Sequence, residues 1–191
     1  EKAKQLLEQS GWIDQDGDGI RDKDDINFKF SYMIVSGLNL HTQIAKLVKD
    51  QCAQVGIVVE IEPYEGSVFF DRVKKRNFDA VNMAWGGGLA GDPYQIWHSL
   101  QIGNHGSNYV GFNNPKADRL IEQARKTLDE DKRNEMYKQF HRILHEQQPY
   151  TFIYTRPAQR LLDKRFKNVK IHKLGLDPHE WYVPINQQKY K

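Results

Sequence analysis

The first half of the chain alternates between two hydrophobic periods. Three segments are rich in β-branched and aromatic residues and predict strands, at residues 28–35, 57–64 and 78–85. Between them, apolar side chains recur every three or four positions, as on one face of a helix, at residues 40–55 and 67–75. The inward face of the first of these helices is predicted to consist of Ile44, Leu47, Val48, Cys52 and Val55.

This order of strand, helix, strand, helix and strand predicts parallel pairing, because a crossover helix returns the chain to the same end of the sheet. A further helix is predicted at residues 2–9, ending before Gly11. The expected fold class is therefore α/β, with a mixed, mostly parallel sheet flanked by helices.

The second half begins with a glycine-rich loop at residues 86–99 and continues with helices. Asn114 and Pro115 mark the start of a helix to about residue 127, because asparagine caps helices and proline suits the first helical position. Asp129 is predicted to cap another helix that extends to about residue 147.

The last part of the chain is predicted to contain a strand at residues 150–157, an edge strand within residues 161–173 and an irregular tail past residue 175. No internal repeat and no low-complexity linker divides the sequence. We therefore expect residues 1–191 to form a single domain.

The composition is that of a globular protein and excludes several classes of function. Hydrophobic residues make up 39% of the 191 residues and charged residues 28%, and no apolar run is long enough to cross a bilayer. The net charge is only +3, and acids accompany the basic residues, so no basic stripe for nucleic acid emerges. The single cysteine, Cys52, excludes an internal disulfide. The sequence opens inside an amphipathic pattern without an initiator methionine, so we expect a fragment or a processed chain.

A candidate binding site follows the third predicted strand. Ligands of open parallel sheets bind outside the carboxyl ends of the strands, and this strand ends at Trp85. The glycines that follow let the backbone approach a ligand and leave N–H groups available to it. The candidate ligand contacts are Trp85, Gly86, Gly87, Gly88, Asp92, Tyr94, Asn108 and Tyr109. The alternative interpretation is a mobile loop that binds nothing, with Trp85 and Trp97 packed in the core.

An aspartate-rich loop precedes the first predicted strand, and its spacing matches that of an EF-hand calcium loop. The candidate metal ligands are Asp14, Asp16, Asp18, Asp22 and Asp25, with the carbonyl of Ile20. Three features depart from an EF-hand: the last ligand is not glutamate, Arg21 replaces an aliphatic residue, and two helices do not flank the loop. The alternative is a solvated turn in which Asp14 and Asp22 accept local hydrogen bonds. A bound calcium ion is expected to be structural.

Five stretches of the sequence carry a family likeness. They are KAKQLLEQSGWIDQDGDGIRDKD, VGIVVEIEPYEGSVFFDRVKKRNFDAVNMAWGGG, DPYQIWHS, GSNYVGFNNPKADRLIEQAR and EQQPYTFIYTRP. In this order they resemble the C-terminal half of family 5 extracellular solute-binding proteins, the oligopeptide, dipeptide and nickel receptors of ABC importers.

The resemblance implies a two-lobed receptor that closes over its ligand, with this chain as its C-terminal lobe of periplasmic binding protein-like (type II) fold. It implies a binding protein rather than an enzyme, without a cofactor for activity. The implied partners are a peptide ligand, the ABC permease membrane subunits and the N-terminal lobe of the same receptor. The implied receptor is a monomer that works outside the cytoplasm, in the periplasm or lipid-anchored at the cell surface.

One departure from the family pattern concerns the amino group of a peptide ligand. Dipeptide and oligopeptide receptors often carry an aspartate just after the strand with the tryptophan, where this chain has three glycines and Leu89. The nearest acid is Asp92. Main-chain contacts, which suit extended peptides, are the alternative to a side-chain carboxylate.

Other functions stay open at this point. Receptors of the same architecture bind sugars or nickel complexes, and the acidic loop alone would suit a calcium-stabilised extracellular interaction module. A hydrolase with a carboxylate pair in residues 86–98 is the third alternative, although the sequence contains no nucleophile elbow, P-loop or metalloprotease motif.

Overall fold

The structure is a computed structural model that describes residues 1–86, 91–103, 106–155, 159–172 and 174–189. The chain forms two compact units. The first unit consists of residues 1–85 and 94–118, and the second of residues 86–93 and 119–191. The expectation of one domain over residues 1–191 stays a prediction.

The described residues form helices and strands over the expected parts of the first half and fewer strands than expected in the second. In chain order the elements are α1 (Lys2–Gln9), β1 (Asp22–Lys23), β2 (Ile26–Asn27), β3 (Lys29–Val35), α2 (Asn39–Ala53), β4 (Val58–Tyr64), α3 (Gly66–Lys74), β5 (Ala80–Val81), α4 (Tyr94–Trp97), α5 (Pro115–Lys126), α6 (Glu130–Gln147), β6 (Ile171–His172) and β7 (Gly175–Leu176). None of the described helices has the length and apolar character that a membrane span requires.

The main sheet of the first unit has three strands in the order β4–β3–β5. β4 pairs in parallel with the whole of β3, and β5 pairs in parallel with Tyr32 and Met33 at the centre of β3. The parallel α/β arrangement predicted from the strand and helix order is confirmed.

Helices cover both faces of this sheet. Tyr32 and Ile34 pack with Ala45 of α2 on one face. Met33 packs with Phe69 of α3 on the other, as the alternation of side chains along a strand requires. The predicted inward face of α2 is wrong at Leu47, which is mostly exposed. Two residues correspond to a rotation of about 200° around a helix, so Leu47 points away from Ala45.

The third strand is shorter than the predicted segment 78–85. Only Ala80 and Val81 pair with β3, and the N–H of Asn82 then donates to the carbonyl oxygen of Met33 at 3.2 Å. The chain leaves the sheet after this bond. Trp85 therefore follows the carboxyl end of the sheet instead of lying within it.

The strand predicted at residues 150–157 is wrong for residues 150–155, which form no strand. Phe152, Ile153 and Tyr154 are each more than half exposed. A strand needs a neighbour to satisfy its backbone groups, and the described residues contain none paired with this segment. Residues 156–157 lie outside the described part of the chain.

The end of the second unit differs from the prediction in detail. Within the segment 161–173, the described residues form only the two-residue strand β6. Its partner is β7, an antiparallel neighbour in the tail that was predicted to be irregular. A hairpin of two residues a side is set by local chain reversal, which leaves no hydrophobic alternation to detect.

The two long helices of the second half begin at the predicted caps. The Asn114 side chain accepts hydrogen bonds from the N–H groups of Lys116 and Ala117, both at 3.0 Å. Asp129 accepts from the N–H of Lys132 at 3.1 Å. These bonds satisfy donors that a helix leaves unpaired in its first turn.

Asp79 ties the start of β5 to the central strand. Its Oδ2 accepts hydrogen bonds from the N–H and from the Oγ–H of Ser31, both at 2.9 Å. These bonds favour the charged carboxylate, so the pKa of Asp79 lies below its ordinary value. A carboxyl with a lowered pKa stabilises the fold above its unfolded pKa, and this contribution is lost as the pH falls through the folded value.

We expect D79A to lower the melting temperature at neutral pH. The expected loss of unfolding free energy is small, on the order of 1 kcal/mol, because the site is largely exposed. The difference from the parent protein should narrow as the pH falls through the pKa of Asp79, since the parent then loses the same contribution. Thermal denaturation followed by circular dichroism at several pH values measures this difference. S31A keeps the N–H donor to Asp79 and should therefore lower the melting temperature less than D79A does. A difference that is the same at every pH would contradict the assignment.

Candidate functional site

Trp85 and Tyr109, two of the predicted ligand contacts, lie together in the first unit. Their ring centroids are 5.9 Å apart and their planes differ by 12°. Trp85 is 41% exposed, so the alternative in which it packs in the core is wrong for Trp85, whereas Trp97 is buried as that alternative predicts. We call this pair the Trp85–Tyr109 stack. Such a flat aromatic surface within reach of solvent suits contact with a ligand.

One residue of the stack, Tyr109, packs on the hydrophobic core. Tyr109 packs against the cluster that Met33 forms with Phe69 and Val73 of α3. Because Met33 belongs to the central strand, the position of Tyr109 is linked directly to the sheet.

Asn108 is fully buried and holds the backbone next to Tyr109. Its Nδ2 donates to the carbonyl oxygens of Trp97, His98 and Phe112 at 3.3, 3.2 and 2.8 Å. Its Oδ1 accepts from the N–H of Phe112 at 2.9 Å. This geometry gives Asn108 a role inside the protein, and its contact with a ligand stays a prediction.

Arg76 also contacts this region, and the sequence analysis did not single it out. Its Cζ lies 6.0 Å from the centroid of the Tyr109 ring. Its Nη2 donates to the carbonyl oxygen of Asn108 at 3.2 Å. Only the tertiary fold brings these residues together, so no spacing in the sequence could have indicated the contact.

Tyr94, another predicted contact, opens α4 and stacks on His98 with ring centroids 4.3 Å apart. His98 is buried, and its Nδ1 accepts from the N–H of Leu100 at 3.2 Å. The Tyr94 ring is thus held by a residue that is itself fixed. Its contact with a ligand stays a prediction.

The remaining predicted contacts are Gly86, Gly87, Gly88 and Asp92. Gly86 is exposed, and Gly87 and Gly88 lie outside the described residues. In the second unit, Oδ2 of Asp92 lies 3.0 Å from Nε of Arg125. An arginine partner offsets the negative charge that would attract a peptide amino group, so this geometry does not favour the amine-binding role of Asp92.

The acidic loop brings three of its predicted ligands together. Carboxylate oxygens of Asp14, Asp16 and Asp18 lie within 4.8 Å of one another, and all three residues are exposed. Among the described residues, Asp22 and Asp25 are not members of this group. Asp22 lies in β1, and Asp25 has a left-handed backbone with φ of 61°.

The same carboxylates order the loop through short-range hydrogen bonds. Asp14 accepts from the N–H groups of Gly17 at 2.8 Å and Gly19 at 3.0 Å. Asp22 accepts from the N–H of Gln15 at 2.9 Å. The local bonds of the alternative interpretation are therefore present. A carboxylate that accepts one N–H per oxygen keeps lone pairs for a cation, so the two interpretations are compatible in geometry.

Arg21, the residue that departs from the EF-hand pattern, anchors the loop to the first unit. It is 9% exposed. Its guanidinium donates to the carbonyl oxygens of Val55 at 2.9 Å and Trp12 at 2.7 Å, and to Oε1 of Glu8 at 3.1 Å. A cation near the carboxyl end of α2 is favoured by the helix dipole. An aliphatic residue at this position would provide none of these bonds.

Comparison with known proteins identifies the family. Residues 1–108, more than half of the chain, match the family described as "Bacterial extracellular solute-binding proteins, family 5 Middle". The chain belongs to family 5 of the bacterial extracellular solute-binding proteins. Proteins of this family are transport binding proteins and not enzymes.

Relatives of family 5 match most of the chain. The oligopeptide-binding protein AppA of Bacillus subtilis (strain 168) is 35% identical over 173 residues, which are 90% of this chain and 32% of AppA. Di/tripeptide-binding protein 1 of Pseudomonas aeruginosa (strain UCBPP-PA14) is 31% identical over 137 residues, which are 70% of this chain and 25% of that protein.

A solved structure of AppA from Bacillus subtilis, in complex with a nonapeptide, has a TM-score of 0.81 and 32% identity, and the match covers 96% of this chain and 37% of AppA. This likeness confirms the α/β, periplasmic binding protein-like (type II) lobe. The chain spans about a third of the length of AppA and a quarter of the Pseudomonas relative.

We expect N108A to destabilise the protein strongly. The substitution removes four hydrogen bonds of a fully buried side chain, two of them to the N–H and carbonyl oxygen of Phe112, at a cost of about 2 kcal/mol or more. Urea denaturation followed by fluorescence measures the loss. N113A, at an exposed neighbouring asparagine, is the matched control and should stay close to the parent. Equal unfolding midpoints for N108A and N113A would contradict this role of Asn108.

Proposed function

We propose that this chain is the C-terminal ligand-binding lobe of a receptor that captures peptides for an ABC importer. The half-exposed Trp85–Tyr109 stack, beyond the carboxyl end of the sheet, is the observation that carries the proposal. An aromatic face contacts peptide groups of many kinds, because dispersion and apolar burial need no specific partner. The names of the two relatives, for oligopeptides and di/tripeptides, support peptides as the ligand class.

The proposed recognition uses the main chain more than charged side chains. An extended peptide exposes its N–H and C=O groups, and a receptor that bonds to them binds peptides of varied sequence. Exposed Gly86, directly after Trp85, has no side chain to obstruct such an approach. The ion pair of Asp92 with Arg125 supports the same view, since that carboxylate already has a cationic partner.

The proposed receptor has a second lobe, formed by the N-terminal part that the longer relatives imply. The exposed segment Phe152, Ile153 and Tyr154 supports this part of the proposal. All three apolar side chains are more than half exposed, and exposed apolar segments of this kind mark surfaces that another element covers.

The proposed mechanism is closure of the two lobes on the peptide, followed by docking of the closed, monomeric receptor on the ABC permease. The peptide leaves unchanged, because binding and release involve no covalent step. The proposed place is outside the cytoplasm, in the periplasm or at the cell surface through a lipid anchor, and the family description as extracellular supports it.

Replacing Trp85 in the full-length receptor tests the ligand contact. We expect W85A to weaken binding of a randomised nonapeptide pool by about tenfold or more, because the indole face is lost from the contact. Isothermal titration calorimetry measures the apparent affinity, and circular dichroism checks folding.

I26A is the matched control for this variant. It removes another exposed apolar side chain, from β2 at the amino end of the sheet, and should leave the affinity unchanged. Equal affinities for W85A and I26A, with both proteins folded, would reject the stack as a ligand contact. Binding of a sugar or a nickel complex in place of the peptide pool would keep the receptor and replace the substrate class.

The acidic loop supports a separate proposal, a structural calcium ion. The convergence of Asp14, Asp16 and Asp18 supplies hard carboxylate oxygens of the type that calcium prefers. The ion would lower the mutual repulsion of these exposed acids and fix the connection between α1 and β1. Anchoring by Arg21 places the loop against the fold with or without metal.

We expect calcium to raise the melting temperature of the receptor relative to a chelator, because an ion that binds only the folded loop stabilises it. Differential scanning calorimetry measures the shift. D16N should abolish it, whereas D25N, outside the group of three carboxylates, should keep it. Identical melting temperatures in calcium and chelator would leave only the solvated-turn interpretation.

A further inference from the structure

The carboxyl end of α3 has a backbone geometry that normally requires glycine. Arg76 follows the helix with φ of 56°, in the left-handed region. Its N–H donates to the carbonyl oxygen of Val73 at 3.0 Å, and the N–H of Asn77 donates to that of Arg72 at 2.9 Å. These two bonds form a Schellman motif, in which the left-handed residue is usually glycine.

The first unit contains the same motif twice with the expected residue. At the end of α1, Gly11 donates to Glu8 and Trp12 donates to Leu7. At the end of α2, Gly56 occupies the left-handed position with φ of 78°. These two helix ends therefore follow the steric rule, and α3 departs from it.

Arg76 carries two energetic disadvantages at this position. A side chain in the left-handed region is strained relative to glycine. Its Nε is buried and has no hydrogen-bond partner among the described residues. A helix end alone does not account for arginine here, because glycine would close the same motif without strain.

The guanidinium provides what glycine would lack. It lies over Tyr109, with Cζ 6.0 Å from the ring centroid, and its Nη2 bonds the carbonyl oxygen of Asn108 at 3.2 Å. One side chain thus contacts both the ring of Tyr109 and the backbone that leads into it. The ring of Tyr109 in turn stacks on that of Trp85.

We propose that Arg76 is a positioning residue for ligand binding, which fixes the Trp85–Tyr109 stack before the ligand arrives. This inference rests on the proposed function, in which Trp85 contacts the peptide. Holding the stack in one orientation removes an ordering cost from the binding step. Arg76 does not itself touch the ligand in this scheme.

Two substitutions in the full-length receptor separate the guanidinium from the backbone. R76G and R76A both remove the contacts with Tyr109 and Asn108, but only glycine relieves the left-handed strain. We expect both variants to bind a randomised nonapeptide pool about threefold to tenfold more weakly. R76G should melt at a higher temperature than R76A.

Fluorine NMR of receptor labelled with 5-fluorotryptophan gives a readout that stability alone would not change. The resonance of Trp85, assigned through W85F, should shift or broaden in ligand-free R76G. The resonances of Trp12 and Trp181 should stay in place. Q148G is the matched control, since Gln148 is also left-handed at a helix end but its side chain donates to the nearby carbonyl of His145.

The outcomes separate this inference from the proposed function. Weaker binding in R76G and R76A, with parental affinity in Q148G, supports the positioning role. Parental affinity in R76G together with weak binding in W85A overturns it and leaves the ligand contact of Trp85 in place. Weak binding only in R76A, in proportion to its lower melting temperature, also overturns it, because the backbone then explains the loss. Parental affinity in W85A instead rejects the proposed function.

Discussion

Burial of the central strand on both faces is the constraint on which the first unit depends. Tyr32, Met33 and Ile34 of β3 are all buried, so consecutive side chains need cover on opposite faces of the sheet. Parallel sheets meet this requirement with crossover helices, and α2 and α3 take these places. The short pairing of β5 with the same strand then determines where the chain leaves the sheet. Trp85 follows from that point, so the candidate site depends on the core beneath it.

Two buried polar side chains hold loop segments in place through hydrogen bonds to backbone groups. Arg21 fixes the acidic loop through carbonyl groups of Val55 and Trp12, and Asn108 fixes the loop before α5. A loop cannot satisfy its own backbone as a helix or strand does, and a buried side chain with several donors serves instead. The acidic loop and the loop that contains Tyr109 are therefore both held by side chain to backbone bonds.

The parts of the fold that local patterns determine were predictable. The alternation in β3, the crossover order and the caps at Asn114 and Asp129 each depend on neighbours in the sequence. The same reasoning gave a wrong strand at residues 150–155. A segment with the composition of a strand forms one only where another strand is available to pair with it.

The candidate site was predictable only in outline, for the same reason. The end of a parallel strand indicated Trp85, but the pairing of Asp92 with Arg125 and the contact of Arg76 with Tyr109 join residues far apart in the sequence. No periodicity records such contacts. The partners of Asn108 are only 4 to 11 residues away, but they lie in irregular segments, where no repeating pattern predicts that an asparagine is buried.

The proposed receptor function offers an energetic reason for an aromatic stack followed directly by a glycine. A receptor must hold its ligand and then release it, so its affinity has to come from contacts that need little reorganisation in either direction. Tyr109 packs on the core, and Trp85 keeps a partly exposed face. Under the proposed function, the stack would be ordered in the free protein and the ligand would cover that face. Glycine contributes the opposite property, a backbone that adapts to ligands of different shape. Under the proposed function, the ordered surface and the adaptable backbone together would permit binding of many peptide sequences at a similar cost.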